Sequence, residues 1–265
     1  MKIHALATGK VQVKRSFLYP GHGPRRQLNL FLPGPWADSL PIHCWAIEHH
    51  GVLRLVDTGE TAAARNVPFA RMEVTRDQEL PAAMAAADLA LDDVSEVVLT
   101  HAHGDHIDGT VHVRARVLMN EAELRFVAKP SSGVMRRLLR QPLPSGFAPE
   151  PLVLDGGPFG AFPRSRPISD DGRIVAVDTP GHTPGHVSVI CIDDSGNHVM
   201  LAGDTTDSLE QLHSLRVDAV APKPDVHVAT MRTILAHCAQ HPTVYLPSHD
   251  PESAARLAEA VTSST

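Results

Sequence analysis

The stretch LTHAHGDHIDG, Leu99 to Gly109, places His101, His103, Asp105 and His106 within six residues, directly after an apolar run. Imidazole nitrogens and carboxylate oxygens are good ligands for zinc, and also for iron or manganese. In an extended segment alternate side chains share one side. His101, His103 and Asp105 are therefore expected to converge from one face. His106 follows as the chain turns and approaches from another direction, so one short segment can feed two adjacent positions.

Three later positions extend the pattern. VDTPGHTPGHVSVI offers His182 and His186 in a Pro/Gly-rich turn before a strand, VMLAGDTTD places Asp204 after an apolar run, and VYLPSHDPES places His249 after another. Each candidate ligand stands where a strand ends and a loop begins. Side chains at the ends of neighbouring strands share one rim of a sheet, where α/β enzymes build sites on a rigid scaffold.

The surrounding chain reads as alternating strands and helices. CWAIEHHGVLRLVDTG predicts two strands around a His49-His50-Gly51 turn, the second over Val52–Val56. An Ala-rich helix is expected from about Pro81 to Leu91, a buried strand over Glu96–Leu99 and a strand from Val117 to Met119 entering a helix at Glu121. Strands are expected again at Ile174–Val177, Val187–Ile192, Val199–Leu201 and Val244–Leu246, with helices over Val226–Gln240 and about Glu252–Val261. This order predicts layered α/β architecture in a single domain, residues 1–265. The Pro-, Gly- and Ser-rich segment at about 130–151 reads as an excursion from the core. Its apolar residues fit a lid over a pocket or a homodimer interface.

Composition excludes some partners. The net charge is −6 and no basic run stands out, which argues against a nucleic-acid binder. No stretch approaches the roughly 18 continuous apolar residues of a membrane span. The three cysteines, Cys44, Cys191 and Cys238, are scattered, and the N-terminus lacks an apolar run before a small-residue cleavage site. Reduced thiols, a cytoplasmic location and a small-molecule substrate are the expectations.

THAHGDH, TPGHTPGH, AGD and PSHD, in this order between Cys44 and Asp250, resemble the successive motifs of the metallo-β-lactamase-fold hydrolases. The resemblance implies an αββα sandwich, two mixed β-sheets flanked by helices, with a metal site on one edge. It implies a first site of His101, His103 and His182, a second of Asp105, His106 and His249, and Asp204 bridging both. The implied cofactors are two divalent metal ions, zinc first, with manganese, iron or cobalt as substitutes. The first histidine of GHTPGH takes the ligand role, which leaves His186 to pack against the site or hydrogen-bond within it. Asp57, in VDTG, would support the site through hydrogen bonds.

The chemistry agrees. A single zinc brings the pKa of a bound water to about 7, and two cations acidify a shared water further. Asp105 is the catalytic candidate, able to orient the nucleophile and hand a proton to the leaving oxygen. Ligand histidines need their second nitrogen tied down. Asp57 and Asp250 are candidates for that, and Asp250 reads equally well as a helix cap before Pro251.

Within the family the chain is most similar to the N-acyl homoserine lactonases, through the VDTG strand end, the doubled TPGHTPGH, the SHDPE ending and the length. A dinuclear hydrolase opening a lactone or another ester follows from that likeness. The alternatives are a glyoxalase II-like thioester hydrolase, which carries a longer helical C-terminal extension, and a mononuclear iron persulfide dioxygenase. One departure stands out. Lactonases of this kind commonly carry a tyrosine three residues after the bridging aspartate, and here that position is Asp207.

Overall fold

The computed structural model describes residues 1–21 and 25–259. Seven strands make the first sheet: β1 (Lys2–Val13), β2 (Leu40–His49), β3 (Val52–Val56), β4 (Ala70–Glu73), β5 (Val94–Leu99), β6 (Arg116–Asn120) and β7 (Glu150–Leu152). Their order across the sheet is β4-β1-β2-β3-β5-β6-β7, antiparallel as far as β3 and parallel beyond it. Five strands make the second: β8 (Ser165–Pro167), β9 (Ile174–Asp178), β10 (Val187–Ile192), β11 (His198–Gly203) and β12 (Thr243–Pro247). Their order is β12-β11-β10-β9-β8, with only β11 and β12 parallel. The helices are α1 (Arg15–Leu18), α2 (Leu80–Ala86), α3 (Gly104–Ile107), α4 (Glu121–Val127), α5 (Pro130–Leu139), α6 (Leu209–Ser214), α7 (Pro224–Gln240) and α8 (Ser253–Glu259).

Strand alternation explains the layers. Trp45, Ile47, Val56, Val98 and Leu118 of the first sheet meet Ala176, Val187, Val189, Leu201 and Leu246 of the second in one buried cluster. The residues between them point the other way. Ala46, Leu55, Val97, Leu99 and Met119 pack outward against Leu80, Ala83 and Met84 of α2. Val175, Ile190, Met200 and Tyr245 pack outward against Met231, Ile234 and Cys238 of α7. Both sheets are thus apolar on both faces, and each outer face demands a helix. The helical residues sit at spacings of three, four and seven, as one covering face requires. The result is the αββα sandwich expected. Cys44, Cys191 and Cys238 are free and buried. No helix among the described residues is long and apolar enough to cross a membrane.

The topology gathers one rim. β3, β5 and β6 run parallel, and β9, β11 and β12 share one direction across the antiparallel β10. The Val187 amide donates to the Thr100 carbonyl at 3.0 Å, and the His43 amide to the Ser248 carbonyl at 2.9 Å, which stitches the carboxyl ends of both sheets to the same edge.

Some expected boundaries change. The α2 helix stops at Ala86, short of Leu91, because Asp88 turns left-handed (φ 56°) and the Leu89 amide closes back on the Met84 carbonyl at 3.0 Å. The 130–151 excursion contains α5, and it ends in β7, which adds a parallel edge strand to β6. The last helix begins at Ser253, and its expected end at Val261 lies outside the described residues.

Candidate metal centre

The histidine segment does not stay extended. His103 (ψ 153°) is its last extended residue before α3 begins at Gly104. Helical geometry then governs Asp105, so it does not share a side with His101 and His103 as alternation predicted. Two donor groups result. His101, His103, His182 and Asp204 form one, and Asp105, His106 and His249 the other, each with one ligand atom per residue lying within 4.8 Å of the rest. The seven residues named in the sequence all arrive at this rim.

Asp204 stands between the groups. Its Oδ2 lies 3.3 Å from His182 Nε2 and 3.7 Å from His101 Nε2, while Oδ1 lies 3.1 Å from His106 Nε2 and 3.4 Å from His249 Nε2. Asp105 Oδ2 lies 3.4 Å from the same His249 nitrogen. His103 Nδ1 is 2.9 Å from both His101 Nε2 and His182 Nε2.

The far nitrogens of four rings are tethered, which assigns their tautomers. His106 Nδ1 donates to Asp57 Oδ2 at 2.8 Å, and His182 Nδ1 to Asp218 Oδ2 at 2.9 Å. His249 Nδ1 donates to the Pro41 carbonyl at 2.8 Å. Thr100 Oγ1 donates to Asp57 Oδ2 at 2.8 Å, so at 3.0 Å it accepts from His101 Nδ1. Each ring therefore turns Nε2 toward the cluster, the nitrogen that offers a lone pair to a cation once any proton on it is displaced. His103 Nδ1 lies 2.9 Å from each of two such nitrogens, and one shared proton cannot satisfy all three atoms. His106 Nε2 and Asp204 Oδ1, both buried, face each other at 3.1 Å without well-aligned hydrogen-bond geometry. A cation at each group satisfies every one of these atoms, so the donor set fits two metal ions.

Local structure holds the tethers. Asp57 adopts a left-handed backbone (φ 62°) at the end of β3, and its Oδ1 accepts the Thr100 amide at 2.7 Å. His186, fully buried, accepts the Asp204 amide on Nε2 at 3.0 Å and donates from Nδ1 to Thr179 Oγ1 at 2.9 Å. It aims the backbone of Asp204. Gly203 (φ 57°) precedes Asp204, and a Cβ there would lie 2.6 Å from His186 Nε2. Asp250 bonds no ligand histidine. It accepts the Glu252 amide at 3.0 Å and pairs with Arg256 at 3.0 Å, so the capping reading describes it.

Two supporting residues lie outside the sequence motifs. Asp218 fixes His182 and accepts the amides of Val220 and Ala221 at 2.9 and 2.8 Å. Glu123 accepts the Ala102 amide at 3.2 Å and the Gly185 amide at 3.0 Å, tying the two ligand loops together. Neither has a spacing signal. Asn120, the cap of α4, is the nearest cue to Glu123.

Electrostatics follow burial first. Burial disfavours charge on His182 and His249, yet Asp218 and Asp204 raise His182, and Asp204 and Asp105 raise His249, each to about 9. Burial pushes the Asp207 carboxyl up to about 7, and its Oδ2 has no partner. The Tyr245 hydroxyl is hydrogen-bonded to Thr205 and Thr206 at 2.6 and 2.8 Å.

A family model described as the metallo-beta-lactamase superfamily matches residues 37–249. The uncharacterized protein YobT of Bacillus subtilis (strain 168) is 22% identical over 169 residues, 62% of this chain and 61% of that protein. The probable metallo-hydrolase YflN of the same organism is 29% identical over 147 residues, 49% of this chain and 51% of that protein. The chain thus spans 61% and 51% of the lengths of these curated relatives. A solved N-acyl homoserine lactone hydrolase, with the product N-hexanoyl-L-homoserine bound at its catalytic metal center, superposes with a TM-score of 0.73 at 17% identity, covering 95% of this chain and 94% of that one. AidC, a dizinc quorum-quenching lactonase, superposes with a TM-score of 0.66 at 18% identity, covering 95% and 90%. At these identities the likeness is one of fold.

Proposed function

The chain belongs to the metallo-beta-lactamase superfamily, and from that premise we propose a hydrolase that holds two divalent cations, zinc first, and opens the carbonyl of a lactone or other small ester. The observation that carries the dinuclear reading is Asp204, whose two oxygens face different donor groups. A single-iron dioxygenase would need one group and leave the other without a purpose.

Cations in both groups would supply an acidified water as nucleophile and polarise the carbonyl oxygen under attack. The chain's own residues do the rest. Asp57, Asp218, Thr100 and the Pro41 carbonyl hold the imidazoles in one orientation, so little reorganisation is left for the reaction. Asp105 orients the incoming water and carries its proton to the departing oxygen. Asp207, half-buried near His249 and Asp204, stands at the position where related lactonases commonly present a phenol and would meet the substrate there. The lactone class is supported by a solved neighbour, an N-acyl homoserine lactone hydrolase with N-hexanoyl-L-homoserine bound at its catalytic metal center.

The test is metal content and turnover on one dialysed sample, across lactones, thioesters and phosphoesters. The expectation is about two cations per chain with hydrolysis of a lactone or oxygen ester. His249→Ala should lose a cation and the activity while its circular dichroism stays unchanged. Wild-type turnover by that variant, or no hydrolysis of any carbonyl ester by the loaded protein, would sink the reading.

A further inference from the structure

Three more donors meet at the opposite edge of the sandwich. One ligand atom each from His49, His50 and Asp171 lies within 4.8 Å of the others. His49 ends β2, and His50-Gly51 form the two-residue connection to β3, with φ of 50° and 75°. Two positive φ values in such a loop define a type I′ turn, where Asn-Gly is the favoured pair. A histidine there is an uncommon choice.

The turn has a consequence for the side chains. Neighbours along a strand point to opposite faces. The left-handed backbone at His50 instead brings its ring beside His49, with centroids 4.1 Å apart. Both Nε2 atoms approach one oxygen, Asp171 Oδ2, at 2.7 Å from His49 and 3.3 Å from His50. Asp171 belongs to the loop between β8 and β9, on the other sheet. Its Oδ1 is already occupied, accepting from Ser169 Oγ at 2.6 Å and from the Arg173 amide at 3.2 Å. The remaining oxygen is thereby fixed toward the two imidazoles. The His49 side chain is 3% exposed and that of His50 is 73% exposed, so one wall of this cluster is buried and the other open to water.

We propose that His49, His50 and Asp171 form a separate divalent transition-metal site that pins the β2–β3 turn of one sheet to the β8–β9 loop of the other. Two imidazoles and a carboxylate suit zinc, nickel or copper. Water completes the coordination on the open side, so this site loads and empties more readily than the buried centre. A hydrogen bond between His49 and Asp171 accounts for two of the three side chains. It leaves unexplained a histidine held left-handed at a turn position that asparagine fills better.

The test uses the full chain with its metal centre already loaded. Zinc is titrated into wild type, His50→Asn and Asp171→Asn under calorimetry. His50→Asn restores the Asn-Gly pair, so the turn survives while the imidazole is lost. Wild type should take up one further equivalent per chain, with a rise in Tm, and both variants should lose that step with turnover at the metal centre unchanged. Copper in place of zinc should give an electron paramagnetic resonance signal with two-nitrogen coupling in wild type, reduced in His50→Asn. No further equivalent in wild type, or the same titration in all three proteins, overturns the proposal.

Discussion

Asp218 decides which way His182 presents its nitrogen. It is 2% exposed and touches the imidazole on the side away from the donor cluster. Asp218→Asn keeps the volume and places an amide against groups that now meet a carboxylate. Metal affinity should fall about 10–100-fold, as for other outer partners of ligand histidines. Competition against a chelator measures this, and an unchanged far-ultraviolet spectrum separates positioning from misfolding. Equal metal retention by variant and wild type would remove Asp218 from the site. The contrast with Asp57 shows what sequence could reveal. Asp57 closes an apolar strand in VDTG, a visible boundary, and it carries the His106 tether. Asp218 sits 36 residues beyond His182, and the Pro41 carbonyl sits 208 residues from His249. A carbonyl belongs to every residue, and a lone aspartate in VDAVAP resembles any loop carboxylate, so only the folded chain discloses these partners.

Elements were legible in proportion to their apolar pattern. The two-sided runs of β5, β9, β10 and β11 read directly as buried strands, since both faces need hydrophobic cover. The α3 helix does not, because its four residues are too few to show a helical period, so strand alternation alone puts Asp105 with His101 and His103, whereas the helix turns it toward His106 and His249. The strands β7 and β8, three residues each, exist through pairing with β6 and β9 and have no pattern of their own. Packing between β11 and α7 adds a pH response. His198 Nδ1 and His237 Nε2 lie 2.9 Å apart, and His241 stacks on His198 at 4.5 Å. Burial, then the neighbouring imidazoles, lowers His198 and His237 from 6.5 to about 4. The unfolded chain takes these protons near 6.5 and the folded chain only near 4. Stability from this packing is therefore complete above the unfolded value and is lost as pH falls toward the folded one. Urea midpoints of the metal-loaded protein at about pH 7.5 and about pH 5 should fall for wild type and fall less for His237→Gln. A drop of the same size in both proteins would exclude the pair as its source.

At the scale of the whole molecule, the rim is where the two sheets are joined by something other than apolar contact. His101, His103, Asp105 and His106 follow β5 of the first sheet, whereas His182, Asp204 and His249 follow β9, β11 and β12 of the second. Each donor group draws from both sides, so a cation in either would cross-link the sandwich. Without cations the same rim works against the fold, through crowded imidazole nitrogens and a buried carboxylate oxygen without a well-aligned hydrogen bond. Part of that cost is relieved by protons: despite burial, the carboxylates hold His182 and His249 at about 9 in the metal-free chain. Metal must displace those protons, so its uptake should release protons and weaken as pH falls. Binding to the folded chain alone stabilises it by about 2.7 kcal/mol at a free concentration about 100-fold above Kd. For a chain of this size each kcal/mol moves Tm by roughly 2–4 °C. Chelation should therefore lower Tm by several degrees, and restoring zinc should raise it again with a calorimetric heat that changes with the ionisation enthalpy of the buffer. A Tm indifferent to the chelator would mean that the rim does not bridge the sheets. A buffer-independent heat would mean that the imidazoles carry no displaceable protons.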